Sequence, residues 1–202
     1  TRELTRASEE ELEPQKVHPQ INQDDLFVFL KDRSGKLDAV VITGGEPCLQ
    51  KDLVNFIKQI KDFGYLIKLD TNGSHPEVLA KLIKEKLIDY MAMDLKAPEH
   101  KYGEVTGTEV DFNNIKKSVK IIMASGLPYE FRTRVVPDLL AKDDIGEMGK
   151  IIKGADLWYL QNFKSQSELV NKALKGKVPY NTRQMKGMAE IGGRYVKICE
   201  VR

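Results

Sequence analysis

The chain of 202 residues carries 32 Lys and Arg against 30 Asp and Glu, a formal net charge of +2, with 41% hydrophobic residues. This balance leaves no electrostatic footprint for nucleic acid or an anionic membrane surface, and no apolar run approaches the length of a membrane span. Residues 1–202 are enough for one sizeable core and are read as a single domain, and nothing at the start resembles a secretory signal, so a cytoplasmic location is the default expectation.

Residues 1–20 hold the acidic patch Glu9-Glu10-Glu11, Pro14 and Pro19 with little apolar periodicity, which predicts a solvated lead-in or mobile loop. A first helix follows, with Asn22 as cap, Asp25 in the first turn and Ile21 and Leu26 spaced as a hydrophobic staple. It should run to about Asp32, and Ser34-Gly35 turns the chain into a strand. That strand, Ala39-Val40-Val41-Ile42, is an unbroken apolar run with β-branched residues, as in strands buried on both faces of a parallel sheet. It ends in Thr43-Gly44-Gly45-Glu46-Pro47. Taken alone, this is either a tight strand-to-helix turn or a place where bare backbone approaches a ligand.

Leu53, Phe56, Ile57 and Ile60 follow the spacing of an amphipathic helix that Gly64 ends. A strand from Tyr65 to Leu69 runs into Asp70-Thr71-Asn72-Gly73. Ser74 and Glu77 then form a capping box for a helix carrying Val78, Leu79, Leu82 and Ile83. The strand from Tyr90 to Met93 leads into Asp94-Leu95-Lys96, which puts an acid and a base on one face. A polar loop with Tyr102 and Thr106-Gly107 precedes a helix capped by Asp111, with Phe112, Ile115, Val119 and Ile122 inward.

Tyr129 to Val136 reads as a strand with Arg132 and Arg134 on one face and Thr133 and Val135 on the other, ended by Pro137. Ile145, Met148 and Ile152 mark a helix, and Leu157 to Leu160 a strand entering Gln161-Asn162-Phe163. Residues 164–202 form a C-terminal extension: a polar stretch to Val178, a helix from about Thr182 to Ile191 and a closing strand from Tyr195 to Val201. Strands that alternate with helices in this way argue for a parallel α/β sheet, while a partial barrel and a doubly wound open sheet both remain open on pattern alone.

In a parallel sheet Glu46, Asp70, Asp94, Arg132 and Gln161 all lie near carboxyl ends of strands and converge on one rim, either to bind a ligand or to satisfy one another's charges. Cys48 and Cys199, the two cysteines, are too few for a cluster motif and read as small packed hydrophobes.

The segments VVITGGEP, LDTNG, MDLKAP and FRTRVVP resemble, in order and spacing, the radical SAM activating enzymes of glycyl radical proteins, above all the anaerobic ribonucleoside-triphosphate reductase activating proteins. The resemblance covers about Leu26 to Phe163. It implies a parallel sheet curved into a partial (β/α) barrel, S-adenosylmethionine as cofactor and a [4Fe-4S] cluster. Gly44, Gly45 and Glu46 would meet the methionine amino group. Asp70, Thr71 and Asn72 would line a second cofactor turn, with Asp94, Lys96 and Arg132 beside the cofactor as the catalytic set, and Gln161 near the adenosine. In some relatives residues matching Asp70, Thr71 and Asp94 also hold a monovalent cation.

The implied partners are a glycyl radical enzyme, expected to be anaerobic ribonucleotide reductase, and an electron donor such as flavodoxin or ferredoxin. The chain departs from the family pattern in having no CxxxCxxC loop, and Arg2-Glu3-Leu4-Thr5 resembles the segment just after that loop. The first strand and the cluster loop are therefore expected to be missing and the chain as given to be catalytically incomplete. Two rivals stay open: a non-redox S-adenosylmethionine-binding module, and a phosphate-binding α/β-barrel enzyme with Lys96 as amine catalyst.

Overall fold

The computed structural model describes residues 21–164 and 176–202, so the acidic lead-in and most of the polar stretch after Lys164 lie outside the described residues. The elements are α1 (Gln23–Arg33), β1 (Ala39–Ile42), α2 (Leu53–Asp62), β2 (Leu66–Thr71), α3 (Pro76–Lys84), β3 (Tyr90–Asp94), α4 (Tyr102–Thr106), α5 (Phe112–Ala124), β4 (Tyr129–Val135), α6 (Lys142–Ile151), β5 (Leu157–Asn162), α7 (Thr182–Gly192) and β6 (Ile198–Val201). Every strand pair is parallel, and the six strands lie side by side in chain order.

That order decides between the two architectures. A doubly wound sheet reverses direction at a switch point, and this sheet never does. Right-handed crossovers that always step the same way place the helices on one face, as in a barrel, but β1 and β6 do not pair and the sheet stays open. Strand alternation then sorts the residues. Ile67, Leu69, Met91, Met93, Phe131 and Leu160 are fully buried toward the helices, each contributing roughly 1.5–3 kcal/mol by leaving water. Lys68, Asp70, Tyr90, Asp94, Glu130 and Arg132 alternate with them and line the other, open face.

Several local expectations hold. Asn22 and Asp111 cap α1 and α5 by accepting the Asp24 and Asn113 amides at 3.0 and 2.9 Å. Others need correction. Strand β1 is not buried on both faces: Val41 is 51% exposed, because no described element covers the open side of this edge strand. Ile21 is 75% exposed, so no staple closes over Leu26. Strand β2 extends to Thr71, and Asp70 and Thr71 belong to it.

The Ser74–Glu77 capping box does not form. Pro76 opens α3 with His75 as its cap residue, and the Ser74 amide is already taken by the Asn72 side chain at 2.9 Å. The polar stretch around Tyr102 is not a plain loop, since a 3-10 turn, Glu99–Lys101, runs into α4. Finally, β6 starts three residues later than expected. Tyr195 lies across Gly149 of α6, where a Cβ would come within 2.5 Å of the ring, so the chain there serves packing before it becomes strand.

One buried chain of hydrogen bonds fixes the middle of the sheet at its carboxyl end. The Trp158 indole N–H donates to Thr133 Oγ1 at 3.0 Å, and the Thr133 hydroxyl donates to the Leu95 carbonyl at 2.7 Å, tying β5 to β4 to the segment between Asp94 and Lys96. Thr133→Val keeps the shape but leaves the indole N–H without its partner. It should cost about 1–3 kcal/mol. Denaturant unfolding followed by the fluorescence of Trp158, the one tryptophan in the chain, measures this directly.

Candidate functional site

The rim begins at the turn after β1. Gly44 sits at φ +144, a torsion that side-chain-bearing residues rarely adopt. A Cβ built on Gly45 meets nothing within 4 Å, so packing inside the chain does not call for glycine there. Glu46 follows, 7% exposed, and Pro47 starts a 3-10 turn, Pro47–Leu49. Both oxygens of the Glu46 carboxylate accept bonds from the chain. Oε1 accepts the Thr71 hydroxyl at 2.8 Å and the Cys48 amide at 3.1 Å, while Oε2 accepts the Asn72 amide at 2.6 Å. Thr71 Oγ1 in turn accepts the Gly73 amide at 3.1 Å. Glu46, Thr71 and Asn72 are thus brought together, but chiefly to one another, and the carboxylate locks the β1 turn to the end of β2.

Asp70, Asp94 and Arg132 form a second cluster on the open face. Asp94 and Arg132 are register partners on β3 and β4. The guanidinium donates through Nε to Asp94 at 2.9 Å and through Nη1 to Asp70 at 3.1 Å. Partial burial works against its charge, but Asp94 and Asp70 outweigh that cost and hold the Arg132 pKa above its ordinary value. Lys96 stands 3.7 Å from the other Asp94 oxygen, with both side chains about two-fifths exposed. Such a pair contributes about 0–1 kcal/mol and leaves the ammonium available to solvent or ligand. Gln161 lies one strand away, in register with Arg134.

Below this cluster lies Glu130, which the sequence reading passed over. It is 2% exposed, accepts the Tyr90 hydroxyl at 3.1 Å, and has Lys68 and Arg202 each 3.5 Å away. Burial and then Glu130 push the Tyr90 hydroxyl up to about 12, so it stays a donor. The Arg202 guanidinium stacks 3.5 Å from the centre of the Tyr159 ring. Strand alternation in Tyr129-Glu130-Phe131-Arg132 would have placed Glu130 beside Arg132. Nothing local signals Arg202, because its position depends on where β6 joins the sheet.

Residues 15–153 match the model of the Radical SAM superfamily. The chain belongs to the radical SAM superfamily. It is 36% identical over 170 residues to a "Putative glycyl-radical enzyme activating enzyme" of Methanocaldococcus jannaschii, spanning 82% of this chain and 70% of that protein. Among solved structures it superposes on a domain of pyruvate-formate lyase-activating enzyme from Bacteroides vulgatus with a TM-score of 0.64, at 14% identity, covering 82% of this chain and 99% of the other. It also superposes on Streptococcus suis SuiB bound to S-adenosylmethionine, with a TM-score of 0.63 and 18% identity over 94% of this chain and 45% of that one. At these identities the structural likenesses speak to fold alone.

Membership implies S-adenosylmethionine and an iron–sulfur cluster. The two groups fit this chain differently. The rim offers what a zwitterionic amino acid needs: an open glycine backbone, carboxylates and an exposed ammonium. A cluster held by three thiolates does not fit, since the chain has two cysteines. Burial pushes the thiols of both Cys48 and Cys199 up to about 12, so each stays protonated near neutral pH.

Glu46→Gln tests the latch. An amide presents an NH2 where one carboxylate oxygen had accepted, so one of the three donors faces another donor. Stability should fall by about 1–3 kcal/mol, read as a lowered denaturation midpoint.

Proposed function

We propose that the rim made by β1 to β5 binds S-adenosylmethionine, and that the protein serves to generate a glycyl radical on a partner enzyme. The observation that carries this is the open, unpacked backbone at Gly44-Gly45 beside a carboxylate latch and a cation, in a chain of this superfamily. Glu46 holds the glycine turn in place through its three bonds, and the carbonyls of that turn, with the remaining acceptor site of Glu46 Oε2, face the methionine ammonium. Lys96 faces the methionine carboxylate. Asp94 and Arg132 stand beside the cofactor, Asp70 and Thr71 at the end of β2 line it with Asn72, and Gln161 lies toward the adenosine.

Bound there, S-adenosylmethionine supplies, on one-electron reduction of its sulfonium, the radical that takes a hydrogen atom from the partner's glycine. The chain's residues orient the methionine end and keep water from it. An iron–sulfur cluster would supply the electron, and the three thiolates that would hold it exceed the two cysteines of this chain. The glycyl-radical reading draws support from the 36% identity to the Methanocaldococcus protein. Anaerobic ribonucleotide reductase is the partner favoured by the motif set, with flavodoxin or ferredoxin as electron donor.

Gly45→Val should weaken S-adenosylmethionine binding at least about tenfold in calorimetry, because a side chain blocks the approach to the backbone. Melting should barely move, since the added atoms meet open space. Equal affinity would remove the rim as the cofactor site. For the partner, the full-length gene product, incubated anaerobically with reductant, S-adenosylmethionine and the ribonucleotide reductase, should produce a glycyl radical signal in electron paramagnetic resonance.

A further inference from the structure

The turn after β2 is held from two sides. Glu46 ties it to β1 through the Thr71 hydroxyl and the Asn72 amide, and the Gly73 amide folds back onto Thr71 Oγ1. From the helix-covered side, the Ser118 hydroxyl of α5 donates to the Gly73 carbonyl at 2.7 Å. Ser118 is 0% exposed and stands in the middle of α5, on a buried stripe whose other members are Phe112, Ile115, Val119 and Ile122. Packing alone calls for an apolar residue there, since burying a hydroxyl costs free energy unless it finds a partner. A mid-helix serine commonly bonds back to a carbonyl of its own helix, but this one reaches into another β-α unit. It is also small, which the turn requires. Gly73 sits at φ +78, and a Cβ there would run into the Met93 side chain and come 3.4 Å from Ser118 Cβ. Turn and helix therefore meet at close approach, and a single hydrogen bond fixes where they meet.

We propose that Ser118 is a positioning residue of the rim: it holds the Asn72-Gly73 turn from the helix side, as Glu46 holds it against β1, and so sets where Asn72 meets S-adenosylmethionine. This rests on the reading of the rim as the cofactor site. Asn72 carries the consequence. Its Oδ1 accepts the Ser74 amide at 2.9 Å and its backbone amide is committed to Glu46, so its NH2 is the group it has to offer a ligand. That NH2 points wherever the turn points. Without the Ser118 hydroxyl, the Gly73 carbonyl loses its anchor on α5 and the turn can tip about its bonds to Glu46.

The test separates placement of the turn from stability. Ser118→Ala should weaken S-adenosylmethionine binding about fivefold in calorimetry, the worth of about one hydrogen bond, and should speed amide exchange at Asn72 and Gly73. Ser118→Cys, which keeps the shape with a weaker donor, should fall between Ser118→Ala and the parent chain, and it serves as the reading if Ser118→Ala does not fold. The control is Ser125→Ala at the other end of the exposed turn of α5, where the hydroxyl bonds only the Ile122 carbonyl and the Leu127 amide. It should lower the melting temperature and leave the affinity as in the parent. Parent affinity in the Ser118 variants overturns this inference and leaves the rim as the site. Equal weakening by Ser118→Ala and Ser125→Ala also overturns it, because the loss then follows stability and not the turn. A parent chain that does not bind S-adenosylmethionine overturns the rim reading, and this inference falls with it.

Discussion

The carboxylate of Glu46 is the interaction on which the rim depends. Two strands of a parallel sheet end independently, and the segments leaving them have no reason to keep a fixed relation. Here one buried side chain accepts from the amide and the hydroxyl at the end of β2 and from its own turn, so the exits of β1 and β2 form one unit. A charged acceptor of this kind is strong because it is charged, and it is tolerated in a buried place because all its donors are supplied. The cost of removing it would fall on the shape of the glycine turn first.

The second constraint is the order of the strands. Because β1 to β6 are laid down side by side in sequence, the helices cover one face and the other is left to polar side chains. Charges there cannot be dispersed into solvent as on a convex surface. They neutralise one another in layers: Glu130 with Lys68 and Arg202 lower down, and Asp70 and Asp94 with Arg132 above them. Lys96 follows at the carboxyl end, 3.7 Å from Asp94. A face whose inner charges are held in close pairs, and whose last cation is held only loosely and stays two-fifths exposed, is a physical reason for a polar ligand to settle at the rim.

Much of this was legible in the sequence because the signals were local. The periodicity of Leu53, Ile57 and Ile60 fixes α2, the side chains of Asn22 and Asp111 mark helix starts, and alternation in β4 puts Arg132 opposite Thr133. Where local signals compete, the pattern misleads. Ser74 has the spacing of a capping box, but Pro76 shifts the helix start and Asn72 takes the Ser74 amide. Asp70 and Thr71 look like loop residues because they are polar, yet they are strand residues whose partners come from β1 and β4. The commitment of Glu46 and Arg132 to neighbours is a fact of tertiary distance that no spacing encodes.

The chain-order sheet also bears on how the protein comes to be folded. Parallel pairing is slow when the partners are far apart in sequence, because a long loop must close before any contact rewards it. In this chain each strand pairs with the one made just before it, as Ala39 with Leu66 and Leu69 with Met91, so no strand waits for a distant one. The sheet can therefore be built by accretion as the polypeptide leaves the ribosome, each β-α unit docking on a finished edge, with one growing edge exposed at a time.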